Sequence, residues 1–482
     1  MRLDHRAGMR YRHRLGMWVL TSCALLVSSC QMDNPRYRRN STVNPPAEVP
    51  APEPRAIEET PPARPPTPMA TTPAKTARQL PRIASEPQIG VLLATGPEVV
   101  LTLPRGGVIS HGGARHHIPP GNLRVRSTGK GLTTSATGKE LLGQRLTVVV
   151  RPAAGAPTFT AELDVPFGKP QVLQFSGQPE VAIDSGSRKA LLIERVGMEQ
   201  YLRGVLPTEI NPSWPMEAIK AQAVAARSYA TDRYLVNWDK AWQLHWHYTV
   251  DMAYGGIKTL NARMATALEQ TRGQLLAAKG LPIPALFHAC SGGRTESARN
   301  FRPDLTGADE LTPMAEVMPS VDDPAGIIGA EALGYSHTHL NWRCELPLAT
   351  VTAGLSRWAA ANPKDRLVVG QVIAVRMAGR FPDSGRLSTV LVRHLLDNHE
   401  TDSEISAATF RLAVGPGQIR STNWSRCVTT AAKGGSLVIE GKGYGHGVGM
   451  SQVSAYQLAR TGSAASDILA LFYPGAKLVQ WW

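Results

Sequence analysis

Read for its alternation of apolar and polar positions, the chain changes texture several times. "IGVLLATGPEVVLTLPRGGVIS" from residue 89, "RLTVVVRP" from 145 and "KALLIERV" from 189 are short β-branched runs split by Gly and Pro. They predict a β-rich region over residues 89–190. The period then lengthens. "SWPMEAIKAQAVAARSYATDRYLV", residues 213–236, predicts a long helix, with Pro215 in its first turn, Glu217 near its positive end and an alanine-rich interior. Two more helices are predicted at "LNARMATALEQ" and "LPLATVTAGLSRWAAAN". Strands return at "GQVIAVRMAG" and "STVLVRHLL", and the chain closes on the helical "SQVSAYQLARTG", stopped by Gly462, and "AASDILALFYPGA". Helices and strands mix over 191–482 without a regular βαβ repeat, so the expected class is α+β.

One stretch fits neither period. In "GKGYGHGVGMSQ", residues 441–452, glycine occupies every second position. As a strand, one side would be bare and the other would carry Lys442, Tyr444, His446, Val448 and Met450. Such a run predicts a bend or a close approach by another backbone or a ligand. It lacks the spacing of a phosphate-binding loop.

Composition narrows the compartment and the partner. The 482 residues carry 52 basic and 38 acidic side chains, a net charge of +14, of which residues 1–29 supply +4. A basic surface suits an anionic partner: nucleic acid, membrane or an acidic wall polymer. Arginines precede the short apolar run "LGMWVLTSCALLV", a signal-peptide layout too short to span a bilayer. "LLVSSCQ" resembles a bacterial lipobox, with Cys30 as the lipidated residue that becomes the new N-terminus. Gln31, in place of an aspartate, favours outer-membrane sorting in a diderm bacterium. Residues 31 to about 88 are rich in Pro, Ala, Arg, Glu and Thr and predict an extended tether without a core. Cys290, Cys344 and Cys427 remain in the body. Export makes one disulfide feasible, and of the three possible pairs Cys344 with Cys427 is preferred, leaving Cys290 free.

The candidate chemistry lies around the long helix. Glu209 stands ahead of it, between Pro207 and Pro212, while Lys220 and Arg227, seven apart, share one helical face and Gln222 lies on another. A carboxylate facing a basic stripe is either a structural ion pair or a general acid beside a substrate-binding wall.

This stretch, "VGMEQYLRGVLPTEINPSWPMEAIKAQAVAARSYA", resembles the core of SpoIID/LytB-domain proteins, and the resemblance continues through "ALFHACSGGRTESA" and "GYGHGVGMSQ" to "ILALFYPGAKL". It extends over residues 89–482. It implies a peptidoglycan lytic transglycosylase that cuts the bond between N-acetylmuramic acid (MurNAc) and N-acetylglucosamine (GlcNAc) in peptide-stripped glycan strands and leaves a 1,6-anhydromuramic end. The family's acid falls on Glu209 and its basic helix positions on Lys220 and Arg227. One carboxyl suffices if it first protonates the glycosidic oxygen and then accepts the proton of the muramoyl 6-hydroxyl. Its pKa must then be raised by burial, which places Lys220 and Arg227 on substrate groups, not on Glu209.

Further substrate contacts are expected from His288, Ser291 and Thr295 in the "HACSGGRTE" loop, and from His446, Ser451 and Gln452 in the terminal signature. Family members with a structural zinc carry a His and two Cys after the first helix. Here that loop offers only His245 and His247, so no metal and no cofactor are expected. Nucleic acid is not an expected partner. The resemblance also leaves open a non-catalytic reading, because LytB-type relatives are described as modifiers of cell-wall amidases. The expected partners are therefore glycan strands, an amidase, and a membrane reached through the lipid anchor.

Overall fold

The computed structural model describes residues 83–482 except 112–113, 129, 137–139, 142–144, 150–157, 166–168, 258–259, 302–313 and 431–433. The leader, Cys30 and nearly all of the tether lie outside the described residues. The described residues contain both helices and many strands, and the class is α+β. Among them, no helix is long and apolar enough to cross a membrane.

The β-rich region forms two sheets. One runs in the order Leu244–His245, Gln88–Gly96, Ala190–Gly197, Gln178–Ile183, Arg145–Val149, Gly107–His111, Ala114–Ile118. The other is centred on Glu98–Leu103 and Gly121–Ser127, paired antiparallel from Glu98↔Arg126 to Leu103↔Gly121. The period-2 pattern works as expected. Val99, Leu101 and Leu103 alternate inward and join Ile89, Val91 and Leu93 of the first sheet in one core.

In chain order the helices are α1 (Met198–Glu209), α2 (Met216–Val236), α3 (Ala262–Gln270), α4 (Ala298–Phe301), α5 (Met314–Val317), α6 (Pro324–Ala332), α7 (Leu348–Ala361), α8 (Ala407–Val414), α9 (Gln452–Arg460) and α10 (Ala465–Phe472). Helix α2 is the axis of the main body. Ala218, Ala221, Ala223, Ala225, Ala226 and Ala230 are all fully buried. A helix buried on every side suits small residues, which let α1, α3, α9 and α10 approach it.

Helix α1 is an addition to the sequence reading, which placed Glu209 ahead of the long helix in a segment bracketed by prolines and assigned no helix there. Pro207 lies inside α1, near its end, and Glu209 is the last helical residue. Proline there removes one helical hydrogen bond without stopping the preceding turns.

The buried residues divide at a different place from residue 190. One core runs from Ile89 to Tyr473 and takes in both the β-rich region and α2. A second runs from Trp342 to Ile439. This second lobe holds a sheet ordered Asn341–Pro347, Ser436–Lys442, Trp424–Thr430, a three-stranded meander, and α7 and α8. Its two ends leave the main body side by side, because Asn341 pairs with Lys442.

The second lobe also rules out the preferred disulfide. Cys344 and Cys427 each pair with Ile439, on opposite sides of the middle strand. Two strand spacings set them about 10 Å apart, beyond the roughly 7 Å a disulfide can bridge. Cys290, Cys344 and Cys427 are all free thiols.

The alternating glycines do not form the strand drawn from their spacing. The strand ends at Lys442, and Gly443, Gly445, Gly447 and Gly449 all have positive φ, between 69° and 110°. The expected close approach is present. A Cβ on Gly443 would lie 2.8 Å from the carbonyl oxygens of Cys290 and Ser291, and one on Gly449 would collide with the carbonyl of Leu286. The winding segment thus lies along residues 286–296, joined through Cys290↔Tyr444, Glu296↔Val448 and His288↔Ser451.

Candidate active site

Four segments meet at Glu209: the end of α1, the second turn of α2, the turn at Ala253 and, far along the chain, the first residue of α9. Gln452 Nε2 donates to the Glu209 backbone carbonyl at 2.9 Å and to Gln222 Oε1 at 3.3 Å. A carbonyl in the last turn of a helix has no intrahelical donor, and Gln452 supplies one.

The Glu209 side chain is 3% exposed. Its Oε1 accepts from the Ala253 N–H at 3.0 Å, while Oε2 is buried without a hydrogen-bond partner. Burial pushes the carboxyl up to about 7, against the smaller opposing pull of the Ala253 N–H. The negative end of the α1 dipole acts in the same direction as burial. The group therefore divides between acid and carboxylate near neutral pH.

A glycine seats the donor. A Cβ on Gly204 of α1 would strike the carbonyl of Gly256 and come within 2.5 Å of the Tyr254 ring. Without it the 253–256 turn lies flat on α1, with Gly255 N donating to Gly204 O at 3.0 Å. Tyr254 in turn donates from its hydroxyl to Glu194 Oε2 at 2.8 Å, and Gly177 N donates to Glu194 Oε1 at 2.7 Å. Burial pushes Glu194 up to about 7 as well, but both its oxygens are engaged.

The basic residues are not arranged as a substrate wall. Arg227 is fully buried and grips Glu199 with two bonds, Nε to Oε1 at 2.9 Å and Nη2 to Oε2 at 2.8 Å. Lys220, with 22% of its side chain exposed, pairs with Glu217 at 2.8 Å. Neither is paired to Glu209.

Ser291, Thr295 and Ser451 are buried and held by neighbours. Ser291 and Ser454 both donate to Asp323 Oδ2, and Ser451 Oγ lies 2.7 Å from Ser454 Oγ. Ser451 occupies the N-cap position of α9 without a side-chain capping bond. Thr295 Oγ1 accepts from Val321 N at 2.8 Å. These residues tie the 290–296 loop to α6 and α9.

His288 is fully buried, with Nδ1 3.1 Å from Val448 O. His446 Nδ1 accepts from Val448 N at 3.1 Å. Burial, then the Arg411 cation, pushes His446 down to about 3, so its ring is neutral. Burial pushes the Cys290 thiol up to about 12 and His288 well below its usual value, which disfavours a thiolate–imidazolium pair. Among the described residues, no three His, Cys, Asp or Glu side chains gather as a metal site.

Of the sequence-predicted residues, Glu209 and Gln452 are brought together. Gln222 was set aside because it lies off the Lys220–Arg227 face, and Ala253 acts through its backbone. The off-face position of Gln222 was itself the signal, because that face meets α9.

Fold and site define an α+β protein with an unpaired, buried acid where α1, α2 and α9 meet. Residues 186–277 match the SpoIID family model, described as stage II sporulation protein. It is 29% identical over 296 residues to an uncharacterized protein of Brachyspira hyodysenteriae, covering 60% of this chain and 69% of that one. It is 25% identical over 296 residues to the amidase enhancer of Bacillus subtilis, covering 58% of this chain but 40% of the relative. Stage II sporulation protein D of Bacillus amyloliquefaciens is 25% identical over 307 residues, 59% of this chain and 75% of that one. The names of these relatives support a cell-wall-related role.

Proposed function

We propose that this protein is a peptidoglycan lytic transglycosylase with Glu209 as its acid and base. The observation that carries the reading is the Glu209 carboxyl, buried, unpaired at Oε2 and raised to about 7. The protonated acid donates to the glycosidic oxygen between MurNAc and GlcNAc, and the C–O bond to the muramoyl anomeric carbon breaks. The muramoyl 6-hydroxyl attacks that carbon, and the Glu209 carboxylate takes its proton. The products are a 1,6-anhydromuramic end and a free GlcNAc 4-hydroxyl, with no water consumed. Hydrolytic glycosidases commonly use two carboxyls. Glu194, the other acid pushed up to about 7, has both oxygens engaged, which favours the one-acid route.

Because Glu209 is 3% exposed, the reading requires the turn at Ala253 to lift before a sugar reaches Oε2. Peptide-stripped strands are the proposed substrate, with His288, Ser291, Thr295, His446 and Ser451 supporting the groove. Lipidation at Cys30 and the 31–88 tether belong to the same proposal and hold the body near the wall, on the periplasmic side of the outer membrane in a diderm cell. A cell-wall amidase that strips stem peptides is the proposed protein partner.

The closed acid and the relative named amidase enhancer favour a second reading, a glycan-binding module that modulates an amidase without cutting. Digestion of strands with and without stem peptides, by the wild type and by Glu209→Gln, separates the two. Anhydromuramic ends from the wild type alone support the enzyme. Reducing ends mean a hydrolase. Binding without cleavage by both proteins supports the module.

A further inference from the structure

Gln222 and Gln452 are fully buried, and one neighbour fixes both amides. The Glu209 carbonyl can only accept, so Gln452 must turn its NH2 towards it, at 2.9 Å. The same NH2 faces Gln222 at 3.3 Å, so Gln222 must answer with its oxygen. This leaves Gln222 Nε2, a donor, and Gln452 Oε1, an acceptor. Both are buried without a partner, as is Glu209 Oε2. Buried polar atoms without partners are costly, and two amide atoms and a carboxyl oxygen left so on three neighbouring residues mark a place prepared for a polar group.

The group that accepts and donates through one atom is a hydroxyl. We infer that Gln222 Nε2 and Gln452 Oε1 form a subsite for the leaving sugar's 3-hydroxyl, on the carbon next to the one bearing the glycosidic oxygen. This rests on the transglycosylase reading and uses the same opening at Ala253. It has a consequence for bond choice. In GlcNAc the C3 oxygen carries a hydrogen. In MurNAc it is an ether to the lactyl group and has none to give. An acceptor at Gln452 Oε1 therefore admits GlcNAc on the leaving side and rejects MurNAc, so the MurNAc–GlcNAc bond is cut and the alternating GlcNAc–MurNAc bond is not. Gln452 thus positions Glu209 through its nitrogen and selects the sugar through its oxygen.

The test uses two synthetic tetrasaccharides of alternating GlcNAc and MurNAc, one intact and one with 3-deoxy-GlcNAc on the leaving side. The wild type should cut the deoxy compound about ten- to a hundredfold less efficiently in kcat/KM. Gln222→Met, which keeps the Gln452–Glu209 bond, should shrink that ratio to about threefold or less. Equal cutting of both compounds by the wild type would overturn the subsite and leave an enclosed water molecule as the occupant of the pair. Should Gln222→Met fail to fold, the wild-type comparison decides alone. Should the wild type cut neither compound, the transglycosylase reading fails, and affinity then decides the subsite. About tenfold weaker binding of the deoxy compound upholds it, and equal Kd values overturn it.

Discussion

The two ends of α1 treat a glutamate in opposite ways. At the first turn Glu199 receives two bonds from Arg227 and one from Gly273 N at 3.2 Å. It sits where the helix dipole is positive. At the last residue Glu209 receives one N–H, faces no cation and sits at the negative end. The carboxylate answered by an ion pair holds helices α1 and α2 in register. The carboxyl left without one is free to gain and lose a proton. Identity of residue type says nothing about role here; the partners decide it.

The largest expected effect breaks the functional end. Glu209→Gln should lower formation of anhydromuramic ends by about a hundredfold or more, with the melting temperature at pH 7 little changed. Unchanged activity would remove Glu209 from the chemistry.

Breaking the other end should cost stability. Arg227→Ala leaves Glu199 buried and unpaired and should destabilise the protein by about 3–5 kcal/mol in urea unfolding. Removing both charges together, as Glu199→Gln with Arg227→Met, should recover much of that loss. Lost activity at full stability would instead put Arg227 at the functional end.

Acidity sharpens the contrast. Glu209 and Glu194 are both raised from 4.5 to about 7 by burial. Their contribution to stability is fully present below about pH 4.5 and is lost as pH rises to about 7. Unfolding free energies from urea titrations across that window should fall in the wild type, by up to a few kcal/mol per group. Glu194→Gln should flatten the slope. Cleavage should decline above pH 7 as Glu209 loses its proton.

The smallest effect is at Lys220. Its pair with Glu217 spans one helical turn near the surface, and Lys220→Ala should cost less than about 1 kcal/mol and leave cleavage within about twofold.

The elements whose periodicity is local were legible in the sequence: α2, α3, α7, α9, α10 and the β-branched strands all stand where the pattern set them. Helix α1 was not, because Pro207 lies inside it and Pro212 just beyond, and prolines mask a helical pattern. The pairing of Arg227 with a glutamate 28 positions earlier leaves no local trace. The basic stripe suggested a substrate wall because helical spacing reports which residues share a face, not what that face meets. The same limit hid Gln222, whose partner Gln452 is 230 residues away. The glycine run showed the reverse case: spacing correctly announced a close backbone approach, while the positive φ values needed for it bend the chain out of a strand.

The second lobe leaves the body at Asn341 and returns at the paired Lys442. An excursion whose ends already meet is, for the body, equivalent to a hairpin of any length. Its interior is free to grow, shrink or be exchanged by insertion and deletion without moving the acid site. Two places escape that freedom: Arg420 accepts from Gly445 N at 2.9 Å through its carbonyl and sets its guanidinium over the Tyr444 ring, and a second tie comes from the turn at Arg386. Arg386 reaches back from the lobe, fully buried, to donate to the carbonyls of Ser291 and Arg294 beneath Gly447, and Ser384 donates to Glu296. A transplanted or trimmed lobe would have to keep both ties, so the excursion is modular in its length but held to the body at Arg386 and Arg420.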